Sequence, residues 1–84
     1  MDFGQAIKAM KEGKKVQREG WNGKGMFLFQ ISGNTWNFET DIGGVDDLET
    51  DSFICMKTAG DTLIPWLASQ ADMQAKDWCF VPDA

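Results

Sequence analysis

Phe3, Ala6, Ile7 and Met10 fall at the i, i+3, i+4, i+7 spacing that places them on one helical stripe. Asp2 followed three residues later by Gln5 is a capping-box pattern. Gly13 stands where a helix stop is expected. The pattern therefore predicts a helix over 2–12 with Lys8 and Lys11 facing solvent. The period then shortens to two. Lys14 to Arg18 reads as a short strand, with Val16 on one face and Lys15 and Gln17 on the other. Met26 to Ile31 is a strongly apolar strand, Gly33-Asn34 a hairpin-type turn, and Thr35 to Phe38 its return strand. Ser52 to Thr58 and Thr62 to Ile64 flank a turn at Ala59-Gly60-Asp61, and Pro65 ends the latter strand or puts it at a sheet edge. Ser69 and Asp72 open a short helix that runs to Ala75, and Trp78 to Val81 is a last strand. Residues 19–25 and 39–51 read as loops, the second carrying six acids.

These elements predict an α+β fold: an N-terminal helix packed on an antiparallel sheet of about five strands, with a short second helix near the C-terminus. Trp36, Trp78, Met10, Met26, Met56 and Met73 read as core filling. Cys55 and Cys79 lie in apolar strand-like runs and read as buried, reduced thiols of a cytoplasmic protein.

Length limits what such a core can hold. A chain of 84 residues makes one small ligand-binding domain, 1–84, and buries only roughly 60–65% of its unfolded surface. A pocket of about 300–1,000 Å³ cut into that interior would remove much of what holds it together. A ligand site is therefore expected in a surface groove or between subunits, which favours a homo-oligomer. No apolar run approaches the length of a membrane span. The stretch from Met1 to Gln5 has neither a basic start nor an apolar stretch, so no secretory leader is expected.

The net charge of −5 argues against binding of nucleic-acid polymers. The distribution is uneven. Residues 1–25 carry six of the eight cations and a net +3, whereas residues 26–84 carry a net −8. An anion could be received by the N-terminal segment, although a solvated basic helix face would give the same count.

Enzymatic readings find little support. Without histidine there is no Ser-His or Cys-His pair, and two separated cysteines do not make a zinc site. The glycines at 20, 23 and 25 match neither the dinucleotide fingerprint nor the P-loop. No catalytic residue, metal or cofactor is assigned.

Binding readings do better. Gly20-Trp21-Asn22-Gly23-Lys24-Gly25 combines an indole, an amide, a cation and backbone N–H groups, with Arg18 just before it. Those groups suit a base stacked on Trp21 with a pyrophosphate gripped by Arg18. Trp21 could equally be a plug in the core. In Pro65-Trp66-Leu67-Ala68-Ser69-Gln70, Ser69 and Gln70 lie at a helix start and Gln70 could read a base edge. Ordinary capping by Ser69, with Trp66 in the core, is the alternative.

These two clusters also carry a resemblance. Phe3-Gly4-x-Ala6-Ile7, Met10-Lys11-x-Gly13-Lys14 and Val16-x-Arg18-x-Gly20-Trp21-Asn22-Gly23-Lys24-Gly25-Met26-Phe27-Leu28 resemble a small phage and prophage family that includes the second type of Thoeris anti-defence protein. Met56-Lys57-Thr58-Ala59, Pro65-Trp66-Leu67-Ala68-Ser69-Gln70-x-Asp72-Met73 and Asp77-Trp78 resemble the same family. Together the motifs cover roughly two thirds of the chain and leave 32–52 unmatched.

The resemblance implies a sponge. In Thoeris immunity a TIR enzyme makes a cyclic ADP-ribose isomer, and such a protein binds that signal in the infected bacterial cytoplasm without degrading it. It also implies a homo-oligomer, a tetramer, with ligand at a subunit interface. Carried over residue by residue, the ligand-binding candidates are Arg18, Trp21, Asn22, Phe27, Trp66, Ser69 and Gln70, with Lys24 a weaker one. The family pattern favours Ala-Asp-Gly-Thr where this chain has Ala59-Gly60-Asp61-Thr62, which should alter the turn there. Two other functions fit less well. A sponge for cyclic oligonucleotides would need a second basic site, built from Lys8, Lys11 or Lys15. An enzyme cleaving such signals would need a carboxylate beside the ligand.

Overall fold

The computed structural model describes residues 1–21, 25–34, 42–45 and 48–82. Helix α1 (Phe3–Lys11) starts at Asp2, whose side chain accepts the Gln5 N–H while the Gln5 side chain accepts the Asp2 N–H. Two otherwise orphaned helix-end donors are thereby satisfied, as the spacing predicted. Gly13 follows the helix at φ +88°, a left-handed value that costs glycine least.

Five strands follow among the described residues: β1 (Val16–Arg18), β2 (Phe27–Ile31), β3 (Phe53–Lys57), β4 (Leu63–Pro65) and β5 (Trp78–Phe80). Helix α2 (Gln70–Gln74) lies between the last two. The sheet is antiparallel throughout, in the order β4-β3-β2-β1-β5. Pro65 is the last residue of edge strand β4, where a missing N–H costs no ladder bond. The proposed return strand at 35–38, together with Trp36, lies outside the described residues. The N–H groups of Gly33 and Asn34 donate to Ser52 Oγ and to the Thr50 carbonyl.

The core sits between α1 and one face of the sheet. Ala6, Ala9 and Met10 of α1 meet Val16, Leu28 and Trp78 from three adjacent strands, and all six are buried. Strand alternation puts Val16, Leu28 and Met56 on this face and sends Lys15, Phe27, Phe29 and Lys57 to the other. The expectations for three residues need correction. Met73 is 40% exposed, because α2 is a single short turn with no buried residue. Cys79 is only half-buried, on an edge strand, and Met26 is half-buried as well, whereas Cys55 in the middle of the sheet is fully enclosed. Burial pushes the Cys55 thiol above its ordinary pKa.

Candidate functional site

The strand order brings the two sequence clusters together. Because β5 pairs with β1, Arg18 stands opposite Trp78, and the residues around 70 fold back beside the residues around 20. Arg18 joins them covalently distant as they are: its Nη1 donates to Asp72 Oδ1 and its Nε to Asp77 Oδ1, both at 2.9 Å. Asp77 also accepts the Gly20 N–H through Oδ2 at 3.0 Å. A side chain at position 20 would meet that oxygen at 3.1 Å, so glycine lets the backbone come this close.

These contacts set the ionisation of all three groups. Hydrogen bonds from Arg18, aided by the Gly20 N–H, hold the Asp77 carboxyl below the usual aspartate range. Burial alone would raise Asp72, but hydrogen bonds from the Ser69 N–H and hydroxyl and from Arg18 outweigh it and leave the carboxyl below that range. The paired acids, Asp77 first and then Asp72, raise the Arg18 guanidinium above its ordinary value.

An aromatic cluster backs this network. Trp78 is 1% exposed and is met edge-on by Trp21, with ring centres 5.5 Å apart, and by Trp66 at 6.0 Å. Phe3 packs on both Trp66 and Trp78. The Trp78 indole N–H donates to the Asp72 carbonyl at 3.0 Å. Trp21 is half-buried, packed against the core yet partly at the surface. Ser69 is the N-cap of α2, accepting the Asp72 N–H while its own hydroxyl and N–H donate to Asp72 Oδ2. Gln70 is exposed at the first position of that helix. Asn22 and Lys24 lie outside the described residues.

Phe27 is not part of this cluster. It lies on the opposite face of the sheet, in a hollow of about 320 Å³ lined by Lys15, Phe27, Phe29, Lys57 and Leu63 with Gly13 and Gln30. The Lys15 and Lys57 ammonium groups stand 5.2 and 5.8 Å from the centre of the Phe27 ring, within cation–π range. Lys57 is held in place by the Gly25 carbonyl at 3.0 Å and by Asp61 at 2.7 Å. Asp61 itself adopts φ +62°, so the left-handed position of this turn falls where the family pattern has glycine. Lys15 was offered by the sequence only for a second basic site, and Lys57 was not singled out, because Phe27 becomes a neighbour of both only after β1, β2 and β3 pair. Asp72 and Asp77 were missed because nothing in their local sequence points to Arg18.

The fold and these surfaces define a small α+β protein with a closed tryptophan–arginine cluster on one side of its sheet and an aromatic hollow rimmed by ammonium groups on the other. Residues 1–81 match the model of the Thoeris anti-defense 2-like domain. The chain is also 38% identical over 84 aligned residues to Thoeris anti-defense 2 of Bacillus phage SP01, covering 96% of this chain and 94% of that protein. It belongs to the Thoeris anti-defense 2 family. No helix among the described residues is long and apolar enough to cross a membrane.

Proposed function

We propose that this protein inhibits Thoeris immunity by sequestering a cyclic ADP-ribose isomer made by a TIR enzyme, in the cytoplasm of the infected host, and that it releases the signal unaltered. Family membership supports the target. The observation that carries the chemistry is the Phe27 ring with two ammonium groups within 5.8 Å of its centre. Such a ligand offers a flat base to stack and a pyrophosphate to neutralise, and the hollow supplies a partner for each. Sequestration needs no acid, base, metal or cofactor.

At about 320 Å³ the hollow is at the small end for a ligand of this size. Phe27 and the cluster of Trp21, Trp66, Ser69 and Gln70 also face away from each other across the sheet, so one protomer cannot offer both to one ligand. A homo-oligomer, a tetramer, in which one copy supplies Phe27 and its neighbour the other residues, resolves this. Asn22 and Lys24 would accompany the second set. Calorimetry with cyclic ADP-ribose isomers, followed by heating the complex and identifying the released compound, tests the reading. Tight binding with intact ligand recovered is expected; a cleaved product would make the protein an enzyme, and no binding would remove the reading.

One observation favours a second ligand class. Next to the first hollow lies another, of about 280 Å³, lined by Gly13, Lys14, Lys15, Phe80 and Val81, with Lys14 5.1 Å from the Phe80 ring centre. A cyclic oligonucleotide, with its additional phosphates, would use both. Competition between the two ligand classes in the same calorimeter separates these readings.

A further inference from the structure

We propose that Arg18 and Asp77 are positioning residues that set the pose of Trp21, and that Arg18 does not grip the phosphates of the ligand; this rests on the nucleotide-sequestering reading above. The guanidinium of Arg18 meets two carboxylates at 2.9 Å, so the trio carries a net charge of −1. A pyrophosphate approaching it would meet an excess of negative charge, not a waiting cation.

The same trio is built into the turn that carries Trp21. Asp77 accepts Arg18 Nε and the Gly20 N–H through its two oxygens, and its carbonyl accepts the Glu19 N–H at 3.1 Å. The Trp21 N–H closes the turn on the Arg18 carbonyl at 3.2 Å. Each of residues 18 to 21 is thus bonded either to Asp77 or within the turn. The contacts also close into a ring: Arg18 reaches Asp72, the Asp72 carbonyl takes the Trp78 indole N–H, and Trp78 meets Trp21 edge-on. Removing one member loosens the Trp21 side, while the far hollow at Phe27 shares none of these bonds.

Asp77→Asn distinguishes positioning from direct contact by the sign of its effect. If Arg18 bound the phosphates, removing a competing carboxylate would free the guanidinium and tighten binding. If the trio positions Trp21, the amide disturbs its ion pair and binding weakens. The experiment measures calorimetric affinity for cyclic ADP-ribose isomers and hydrogen exchange at the Gly20 and Trp21 amides, in the wild type, Asp77→Asn and Arg18→Lys. Arg18→Lys keeps the charge but cannot bridge two carboxylates with a planar fork, and it serves if Asp77→Asn fails to fold.

The expected result is at least tenfold weaker binding in either variant, with faster exchange at both amides and little change at β2 and β3. Tighter binding in Asp77→Asn, near-wild-type affinity in a folded Arg18→Lys, or unchanged exchange would each overturn the proposal. Should the wild type bind none of the isomers, the sequestering reading fails, and the exchange data still decide whether Asp77 and Arg18 hold the Trp21 turn.

Discussion

On the helix side of the sheet, Arg18 meets two carboxylates at 2.9 Å and every partner in its network comes from the chain itself. On the far side, Lys15 and Lys57 stand over one phenyl ring, 5.2 and 5.8 Å from its centre, at the rim of a hollow. Both regions combine cations with aromatic rings, the composition expected of a nucleotide site. The second presents them around a concave surface. Lys57 also has a carboxylate partner, Asp61 at 2.7 Å, so the contrast is one of degree: Arg18 is bridged by two carboxylates, whereas Lys57 pairs with one beside an aromatic ring.

The largest effect that can sharpen this contrast comes from Trp78. It is fully buried and touches Phe3, Trp21 and Trp66, so Trp78→Ala should cost about 3–5 kcal/mol. That corresponds to a fall in Tm on the order of 20 °C for a domain of this size, read by calorimetry or circular dichroism. Phe27→Ala should behave in the opposite way. With the ring half-buried over a hollow, the stability loss should be about 1 kcal/mol, while binding of a stacked ligand should weaken by about 1–3 kcal/mol. A Phe27 variant that unfolds, or one that binds as the wild type does, would erase the distinction between the faces.

Acid should loosen the helix side through its two paired carboxyls. The carboxyls of Asp72 and Asp77 are held below the ordinary aspartate value of 3.8. Their stabilising contribution is therefore complete above the unfolded-state value and is lost as the pH falls through the lower folded-state values. Melting curves between pH 6 and about 2 should show Tm dropping below pH 4 or so, and Asp77→Asn should flatten that drop. An unchanged slope in the variant would mean that the Asp77 pair contributes nothing.

The smallest effect is expected at Asp61. It holds a left-handed φ of +62° and pairs with Lys57 at 2.7 Å. Asp61→Gly suits that backbone better and leaves Lys57 without its carboxylate, so Tm should change by no more than a few degrees. Affinity for an anionic ligand in the Phe27 hollow should rise about two- to threefold, the scale of a weak, screened surface pair. A fall in affinity would show that Asp61 helps to hold Lys57 in a binding pose.

Some of this was legible along the chain, and the reason is locality. The α1 stripe, its capping box at Asp2 and Gln5, the Gly13 stop and the Ser69–Asp72 cap all involve residues within a few positions of each other. Their geometry follows from backbone rules that tertiary packing did not override. The alternation around Val16 placed Lys15 correctly on the outer face for the same reason. Met73 was misjudged because sequence shows that a methionine is apolar but not whether a five-residue helix has anything to pack it against.

The candidate site was legible only as separate pieces. Sequence by itself determined the α+β elements, the aromatic and cationic residue types in two clusters, and the lack of histidine that narrows the chemistry. The tertiary structure decided which pieces meet. The crossing from β4 to β5 over the width of the sheet puts Asp77 beside Arg18, 59 positions away in the chain, and gives the residue expected to grip an anion two carboxylate partners of its own. The pairing of β2 with β3 puts Lys57 beside Phe27 on the opposite face. Charge neutralisation and strand pairing act through space over a few ångströms, and sequence separation does not encode those distances.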